Sequence, residues 1–311
     1  MKKDSKILIT GSSGMVGKAL VKKLQELGFN NILTPIHEEM NLVNQTSTEK
    51  YFNDNYPIRY VFHLAAVVGG IQANIDSPIR FLEHNLLINC NIIQLASSTL
   101  TTRLINLGSS CIYPTQCKQP MKEEYLLDGK PEPTNEGYAL AKICGLKLCE
   151  YYKKQFEDDF ITLIPPNMYG PGDHFEKNRS HVISALITKM HKAKMNGDRF
   201  VKVWGSGEAR REFLYVDDCV DVMIYFMQEG CDEPYINIGC GEDISIADLA
   251  CLIKKVVGYT GVLVFEGHKP EGMKKKLLDS SKSKTLGWTP KTKLEKGLEK
   301  TYRWYCNNDK S

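Results

Sequence analysis

At 311 residues, 42% of them apolar and 25% charged, the chain has the makeup of a soluble globule with room for one large domain or two moderate ones. Its net charge of +3 is too weak an imbalance to imply nucleic acid or a membrane surface as partner. The opening MKKDSKILITGSSG lacks a secretory h-region, and no stretch approaches the ~18 apolar residues that span a bilayer. The ten cysteines form no CxxC pair or metal-ligand cluster, so a cytoplasmic protein with reduced thiols and no metal is expected.

In chain order, strands are predicted at Lys6–Thr10, Tyr60–Leu64, Leu104–Gly108 and Phe160–Ile164, with helices at Met15–Leu27, Leu82–Ser97 and Gly137–Phe156. Continuous apolar strands alternating with helices predict an α/β fold, a doubly wound parallel sheet covered on both faces. After about residue 168, Gly and Pro punctuate Tyr169–Asp173. A helix is then predicted at Ser180–Met195, a strand at Phe200–Trp204, a helix at Asp217–Gln228 and a strand at Tyr235–Gly239. Helices at Ala247–Gly258 and Lys293–Cys306 complete the series. Residues 1–168 are therefore expected to form a Rossmann-type domain to which some later segments return. Residues 169–311 would make a smaller C-terminal α/β lobe that binds substrate, with the site in the cleft at the carboxyl ends of the strands.

The first strand runs directly into Gly11-Ser12-Ser13-Gly14-Met15-Val16-Gly17 and then a helix, the context in which a glycine loop reads as a dinucleotide site. Gly11 permits the tight turn, Gly14 lets the backbone approach a pyrophosphate, and Gly17 lets helix and strand close up. The helix N-terminus then offers N–H groups and partial positive charge to the phosphates. No arginine stands in Thr34-Pro35-Ile36-His37-Glu38, and the glutamate comes late, so these residues leave NAD and NADP open.

Gly108-Ser109-Ser110-Cys111 ends a strand, placing hydroxyls and a thiol at the carboxyl edge of the sheet. Tyr138 and Lys142 follow on one helix face at i and i+4, so a phenol and an ammonium reach the same place. Lys142 is expected to lower the Tyr138 pKa, making the phenol a usable acid or base, while Ser109 hydrogen-bonds a reacting carbonyl oxygen. Cys111 reads as a core thiol or as a base made acidic by a cationic neighbour, with His181 a candidate partner. The basic run Lys274, Lys275 and Lys276 reads as a solvated face or a contact to an anionic ligand.

These pieces, with further segments, resemble the GDP-L-fucose synthase family of the extended short-chain dehydrogenase/reductases over nearly the whole chain. The likeness rests on GSSGMVG at 11–17, HLAAVVGGI at 63–71, NLGSSCIYP at 106–114 and EPTNEGYALAK at 132–142. It extends through PPNMYGPGDHF at 165–175, SHVISAL at 180–186, VWGSGEARREFLYVDD at 203–218 and KPEGMKKKLLD at 269–279. The resemblance implies epimerisation of GDP-4-keto-6-deoxy-D-mannose at C3 and C5 by a Cys111–His181 base and acid pair. NADPH-dependent reduction at C4 follows, with Tyr138 supplying a proton, Lys142 tuning it and Ser109 orienting the ketone. It further implies NADP(H) contacts, with NAD(H) not excluded, from the glycine loop, Asn41, Leu42, Leu64, Ala65, Ala66, Leu107, Gly108, Tyr138, Lys142, Pro165, Asn167, Met168 and His181. Substrate would meet Ser109, Asn167, Lys189, Trp204, Arg211 and Glu271. A homodimer pairing the Leu82–Ser97 and Gly137–Phe156 helices is implied as well. Another nucleotide 4-keto sugar as substrate, and a non-catalytic NAD(P)-sensing role, are the competing readings.

Overall fold

Ile7, Leu8 and Ile9 of the first strand are all fully buried because successive side chains enter two different cores. In this computed structural model, which describes residues 1–176, 180–268 and 272–308, the same division recurs along the central sheet. Ile7, Ile9, Phe62, Ile105, Ile161 and Leu163 face one core, while Leu8, Val61, Leu104 and Phe160 face the other.

The elements run β1 (Ile7–Thr10), α1 (Met15–Glu26), β2 (Ile32–Leu33), α2 (Gln45–Asp54), β3 (Tyr60–His63), α3 (Ile71–Asp76), α4 (Pro78–Ser98), β4 (Arg103–Leu107), α5 (Glu136–Phe156) and β5 (Phe160–Ile164). There follow β6 (Asn167–Tyr169), α6 (Val182–Asn196), β7 (Phe200–Trp204), β8 (Arg210–Tyr215), α7 (Val216–Glu229), β9 (Tyr235–Asn237) and β10 (Asp243–Ser245). The chain closes with α8 (Ile246–Val257), β11 (Val262–Glu266), β12 (Lys275–Lys276), α9 (Ser281–Thr285) and α10 (Leu294–Asn308). Six parallel strands lie in the order β2-β1-β3-β4-β5-β9, the doubly wound arrangement expected of the sequence.

Helix α1 packs on α7 over one face, and α2, α4 and α5 cover the other. Both α7 and β9 come late in the chain yet join the first sheet and its cover. The remaining later elements form a second layer. In it β8 pairs with β6, β10 and β12, β7 pairs with β11, and α6, α8 and α10 pack nearby. One apolar core runs without a break from Ile7 and Leu20 through Met190, Val203 and Leu214 to Leu249 and Leu298. Among the described residues no helix is long and apolar enough to cross a membrane.

Helices α4 and α5 approach most closely at Gly145. A Cβ built there would lie 2.7 Å from the amide nitrogen of buried Asn89, which donates to the Ala141 carbonyl at 3.0 Å. Alanine in place of glycine inside an exposed helix gains up to ~1 kcal/mol. Here the crowded amide already makes a buried hydrogen bond, so overpacking wins and Gly145→Ala should cost about 1–3 kcal/mol. Denaturant unfolding of the two proteins at one pH checks the sign.

Candidate active site

The glycine loop is shaped by contacts that leave no room for side chains. Gly11 sits at φ +71°, where a Cβ would meet the Ala65 backbone nitrogen at 2.8 Å. A Cβ on Gly17 would stand 2.3 Å from the Gly11 carbonyl oxygen, so α1 can press onto β1 only with glycine there. At Gly14 a Cβ would touch only that same oxygen, at 3.4 Å, which marks open space above the loop. No side chain caps α1 and no acidic residue occupies its first turn. The uncapped N–H groups and the open space suit a pyrophosphate, and the cradle fits a dinucleotide.

Behind the loop lies a buried polar chain. The Leu64 and Ala65 N–H groups donate to Thr10 Oγ1 at 3.2 Å each, so the threonine hydroxyl gives its hydrogen to His63 Nδ1 at 2.8 Å. His63 Nε2 then donates to Asn89 Oδ1 at 3.1 Å, and the Asn89 amide reaches the Ala141 carbonyl. This assignment needs a neutral imidazole. Burial, reinforced by the Lys142 ammonium, supplies it by pushing the His63 pKa down to about 3.

The residue after Ala141 is Lys142. Its ammonium is buried and donates to the Leu107 carbonyl at 2.7 Å, at the very end of β4. Burial lowers its pKa to about 8, with the Cys111 thiol acting in the opposite direction. Beyond Leu107, Gly108 donates to the Leu163 carbonyl at 2.8 Å, and a Cβ there would crowd the same oxygen at 3.1 Å. The chain then turns through Ser109 into a 3-10 turn, Ser110–Ile112, with Ser110 N donating to the Pro165 carbonyl at 3.1 Å. The Ser109 hydroxyl accepts from Cys111 N at 3.4 Å, and it acts to lower the pKa of both the Tyr138 phenol and the Cys111 thiol. Buried Cys111 and Lys142 and half-buried Ser109 and Tyr138 thus come together at the carboxyl edge of the sheet.

The electrostatics differ from the sequence expectation. Burial pushes the Tyr138 phenol up, and the Cys111 thiol adds to this against the Ser109 hydrogen bond. Lys142 does not lower it, because its ammonium lies 5.9 Å from the tyrosine ring centroid and is committed to Leu107. Burial raises Cys111 too, but Lys276, the Ser109 hydrogen bond and Lys142 all act to lower it, in that order of strength.

The other expected residues are spread wider. His181 is the exposed N-cap of α6, and among the described residues no hydrogen bond or charge contact joins its ring to Cys111. Lys189 is exposed and donates to the Lys202 carbonyl at 3.1 Å. Trp204, 49% exposed, ends β7, and Arg211 lies in β8 opposite Lys276 of β12. Asn167 and Met168 sit in β6 beside β8, and Glu271 lies outside the described residues. Asn41 and Leu42 flank the α2 entry, where Asn91 donates to the Leu42 carbonyl at 2.8 Å. Sequence reasoning missed His63 and Asn89 as supports and Lys276 as a neighbour of Cys111; the run of three lysines was the only signal for the last.

Residues 7–239 match the family described as NAD dependent epimerase/dehydratase. GDP-L-fucose synthase 1 of Arabidopsis thaliana is 45% identical over 306 residues, covering 98% of this chain and 94% of the plant protein. A GDP-6-OMe-4-keto-L-xylo-heptose reductase from C. jejuni superposes with a TM-score of 0.94 at 35% identity, covering 99% of each chain. A GDP-L-fucose synthetase from Naegleria fowleri bound to NADP gives 0.91 at 30% identity, over 99% of this chain and 94% of that one.

The buried imidazole makes acid stability a readout of this site. The folded pKa of His63 lies below the unfolded value, so between pH 6.5 and about 3 the unfolded chain binds the extra proton. The His63 contribution is complete above that window and is lost as pH falls through it, by up to ~1.4 kcal/mol per pH unit. His63→Gln should flatten the pH dependence of the unfolding free energy below neutrality. Parallel slopes for the two proteins would show that His63 is not buried neutral.

Proposed function

The chain belongs to the NAD dependent epimerase/dehydratase family, and from that membership we infer an NADPH-dependent GDP-L-fucose synthase. It converts GDP-4-keto-6-deoxy-D-mannose to GDP-L-fucose by inverting C3 and C5 and then reducing the C4 ketone. The observation that carries the reading is the grouping of Ser109, Cys111, Tyr138 and Lys142 around the end of β4, in a chain matched almost end to end by GDP-L-fucose synthases.

The C4 ketone acidifies the C–H bonds at C3 and C5. Cys111, as thiolate, takes a proton and becomes a thiol, while the C–H electron pair moves onto the ketone oxygen as enolate. His181 returns a proton to the opposite face, so the carbon is inverted and no net charge is left. The two residues lie on separate lobes, the arrangement that addressing opposite faces of one sugar requires. Ser109 donates to the ketone oxygen and holds it through both stages. The Gly11–Gly17 loop, Leu64–Ala66, Gly108 and Pro165–Met168 would hold NADP(H), which when bound would supply the hydride for C4. Tyr138 gives the proton to the C4 oxygen, a task suited to a phenol that burial keeps protonated. Lys142 fixes the Tyr138 turn of α5 against β4 and would offer positive charge to the cofactor.

In the second lobe Trp204 offers a flat surface, Arg211 charge for the diphosphate, and Asn167 a polar contact near the cofactor. Lys189 serves at the rim, and Glu271 toward the guanosine. The lobes divide near residue 168, with α7 and β9 counted in the first. The enzyme works in the cytoplasm as a homodimer paired through α4 and α5, whose exposed apolar side chains include Ile79, Leu87, Leu140 and Tyr151.

The reading predicts consumption of NADPH, and more slowly NADH, with GDP-4-keto-6-deoxymannose in a panel of nucleotide 4-keto sugars. Oxidation with a keto-heptose alone would transfer the assignment to the reductases it also superposes on. Cys111→Ser should cut solvent-deuterium entry at C3 and C5 by at least about a hundredfold while NADPH binding is kept. Tyr138→Phe should stop reduction and leave exchange running. Sedimentation should give twice the chain mass, falling to one chain in Leu140→Glu; a parent already monomeric excludes the helix pairing.

A further inference from the structure

The run Lys274–Lys276, read from sequence as a solvated face or a contact to an anionic ligand, is split by the fold. Lys274 is exposed, whereas Lys275 and Lys276 form β12 and, as neighbours on a strand, project to opposite sides. Lys275 is committed to Asp243, 2.7 Å away. Lys276, partly buried, takes the other side, and among the described residues no ion pair or side-chain hydrogen bond occupies its ammonium. Cys111 packs in one cluster with Met273 and Leu278, which flank β12 at its two ends, so the turn carrying the thiol and this strand meet in the same cluster.

The backbone that carries Lys276 is tied down at every step. Lys276 is in register with Arg211 of β8. Leu277 N donates to Gln119 Oε1 at 2.9 Å, and its carbonyl accepts from Met121 N at 2.7 Å. Leu278 N donates to Glu212 Oε2 at 2.9 Å, and Asp279 N to the Met121 carbonyl at 2.8 Å. A long flexible side chain can exert a steady field on another group only if its root is fixed, and this root is pinned from both lobes.

We propose that Lys276 is the positioning cation for the epimerisation base, holding its ammonium toward the Cys111 sulfur so that the thiolate forms where burial alone would forbid it. The proposal deepens the epimerase reading and rests on it. Facing Cys111 are Tyr138 and Lys142 from α5, Ser109 from its own turn, and Lys276 from β12; Arg211 and Glu132 face Lys276 itself. Of the two lysines, Lys142 is bonded to the Leu107 carbonyl, and Lys276 has the larger effect on the thiol. Burial and Arg211 favour loss of the Lys276 proton, whereas Cys111 and Glu132 favour keeping it. Thiolate and ammonium therefore stabilise one another as a pair. When the thiolate takes the substrate proton its negative charge passes to the enolate oxygen, and the ammonium stays protonated throughout.

The test is the titration of Cys111 in the full chain with NADP bound and no sugar present. Its thiolate absorbance is read as the difference from Cys111→Ser, and carboxymethylation of the Cys111 peptide is followed by mass spectrometry. Lys276→Met and Lys276→Gln should raise the Cys111 midpoint by about one pH unit or more, a tenfold loss of thiolate equivalent to ~1.4 kcal/mol. Lys276→Arg should hold the midpoint at or below that of the parent, since its charge persists at any working pH. With substrate, the pH profile of deuterium exchange should move with the midpoint. A midpoint unmoved in both uncharged variants overturns the proposal, as does a raised KM for the sugar with an unshifted exchange profile, which would make Lys276 a diphosphate anchor. Should neither uncharged variant fold, a rise in Lys276→Arg overturns it equally. Because the titration needs no sugar, it stands or falls separately from the substrate assignment.

Discussion

The site is organised around a buried cation that, among the described residues, makes no ion pair with a carboxylate. Lys142 is almost wholly enclosed, and its ammonium rests on one backbone carbonyl, Leu107 O, at the last residue of β4. An ionised group in such surroundings is stable only if its few partners are fixed and the imidazole behind it adds no like charge. Both conditions can be traced outward. The carbonyl is fixed because β4 lies between β3 and β5 in the sheet. Helix α5 is fixed because Gly145 admits the Asn89 side chain, and Asn89 holds the Ala141 carbonyl one residue before the lysine. Charge is excluded because the neighbouring imidazole of His63 stays neutral. That same neutrality sets the tautomer linking Thr10 to Asn89, so the ammonium and the hydrogen-bond chain behind it require one another.

What could be read in the sequence was chemistry packed into short, continuous segments. GSSGMVG follows its strand at once, the SSC turn ends another, and Tyr138 and Lys142 lie one helical turn apart, so local periodicity brings the groups together. Whatever depends on distant segments meeting was hidden. Strand β2 is two residues long, too short for a pattern, and β12 exists only because β8, remote in sequence, lies alongside it. The residues supporting the site were hidden for the same reason. His63 and Asn89 look like an ordinary strand end and helix interior until α4 and α5 come together. The Tyr138 pKa shows the limit from the other side: the i, i+4 spacing places Lys142 on the same face, yet burial and the Leu107 carbonyl decide what the lysine does there.

Carboxylates and amides tie segments far apart in the chain to one another around the site. Glu212 of β8 accepts from Gly241 N at 2.7 Å and Leu278 N at 2.9 Å, both beyond β9. Asn237, in the sixth strand of the sheet, accepts from the Tyr113 phenol at 2.7 Å and donates to the Met121 carbonyl at 2.9 Å. Its own N–H goes to Glu123 Oε1 at 2.9 Å. The segment after Cys111 is thus sewn to β9 through Asn237 and to the β12 end through Met121, with one unbroken apolar core nearby. Cys111 occupies the stiff side of the cleft, whereas His181 opens α6 on the side exposed to solvent.

Carrying two chemistries in one cavity asks for opposite proton affinities from neighbouring groups. Reduction needs an acid that still holds its proton when the hydride arrives, and epimerisation needs a base that has already lost one. Burial raises both Tyr138 and Cys111, which serves the phenol and obstructs the thiol. The difference between them is therefore made by where cations sit. Lys142 is held on the Leu107 carbonyl and leaves the phenol's affinity to burial, so Tyr138 keeps its proton. The thiol is acted on by Lys276 as well as by Lys142 and the Ser109 hydroxyl, and all three oppose its burial. A single cation shared evenly between phenol and thiol would make the two groups titrate together and blur acid with base. A second cation drawn from β12, remote in sequence from the turn that carries the thiol, acts on Cys111 and leaves Tyr138 to its burial.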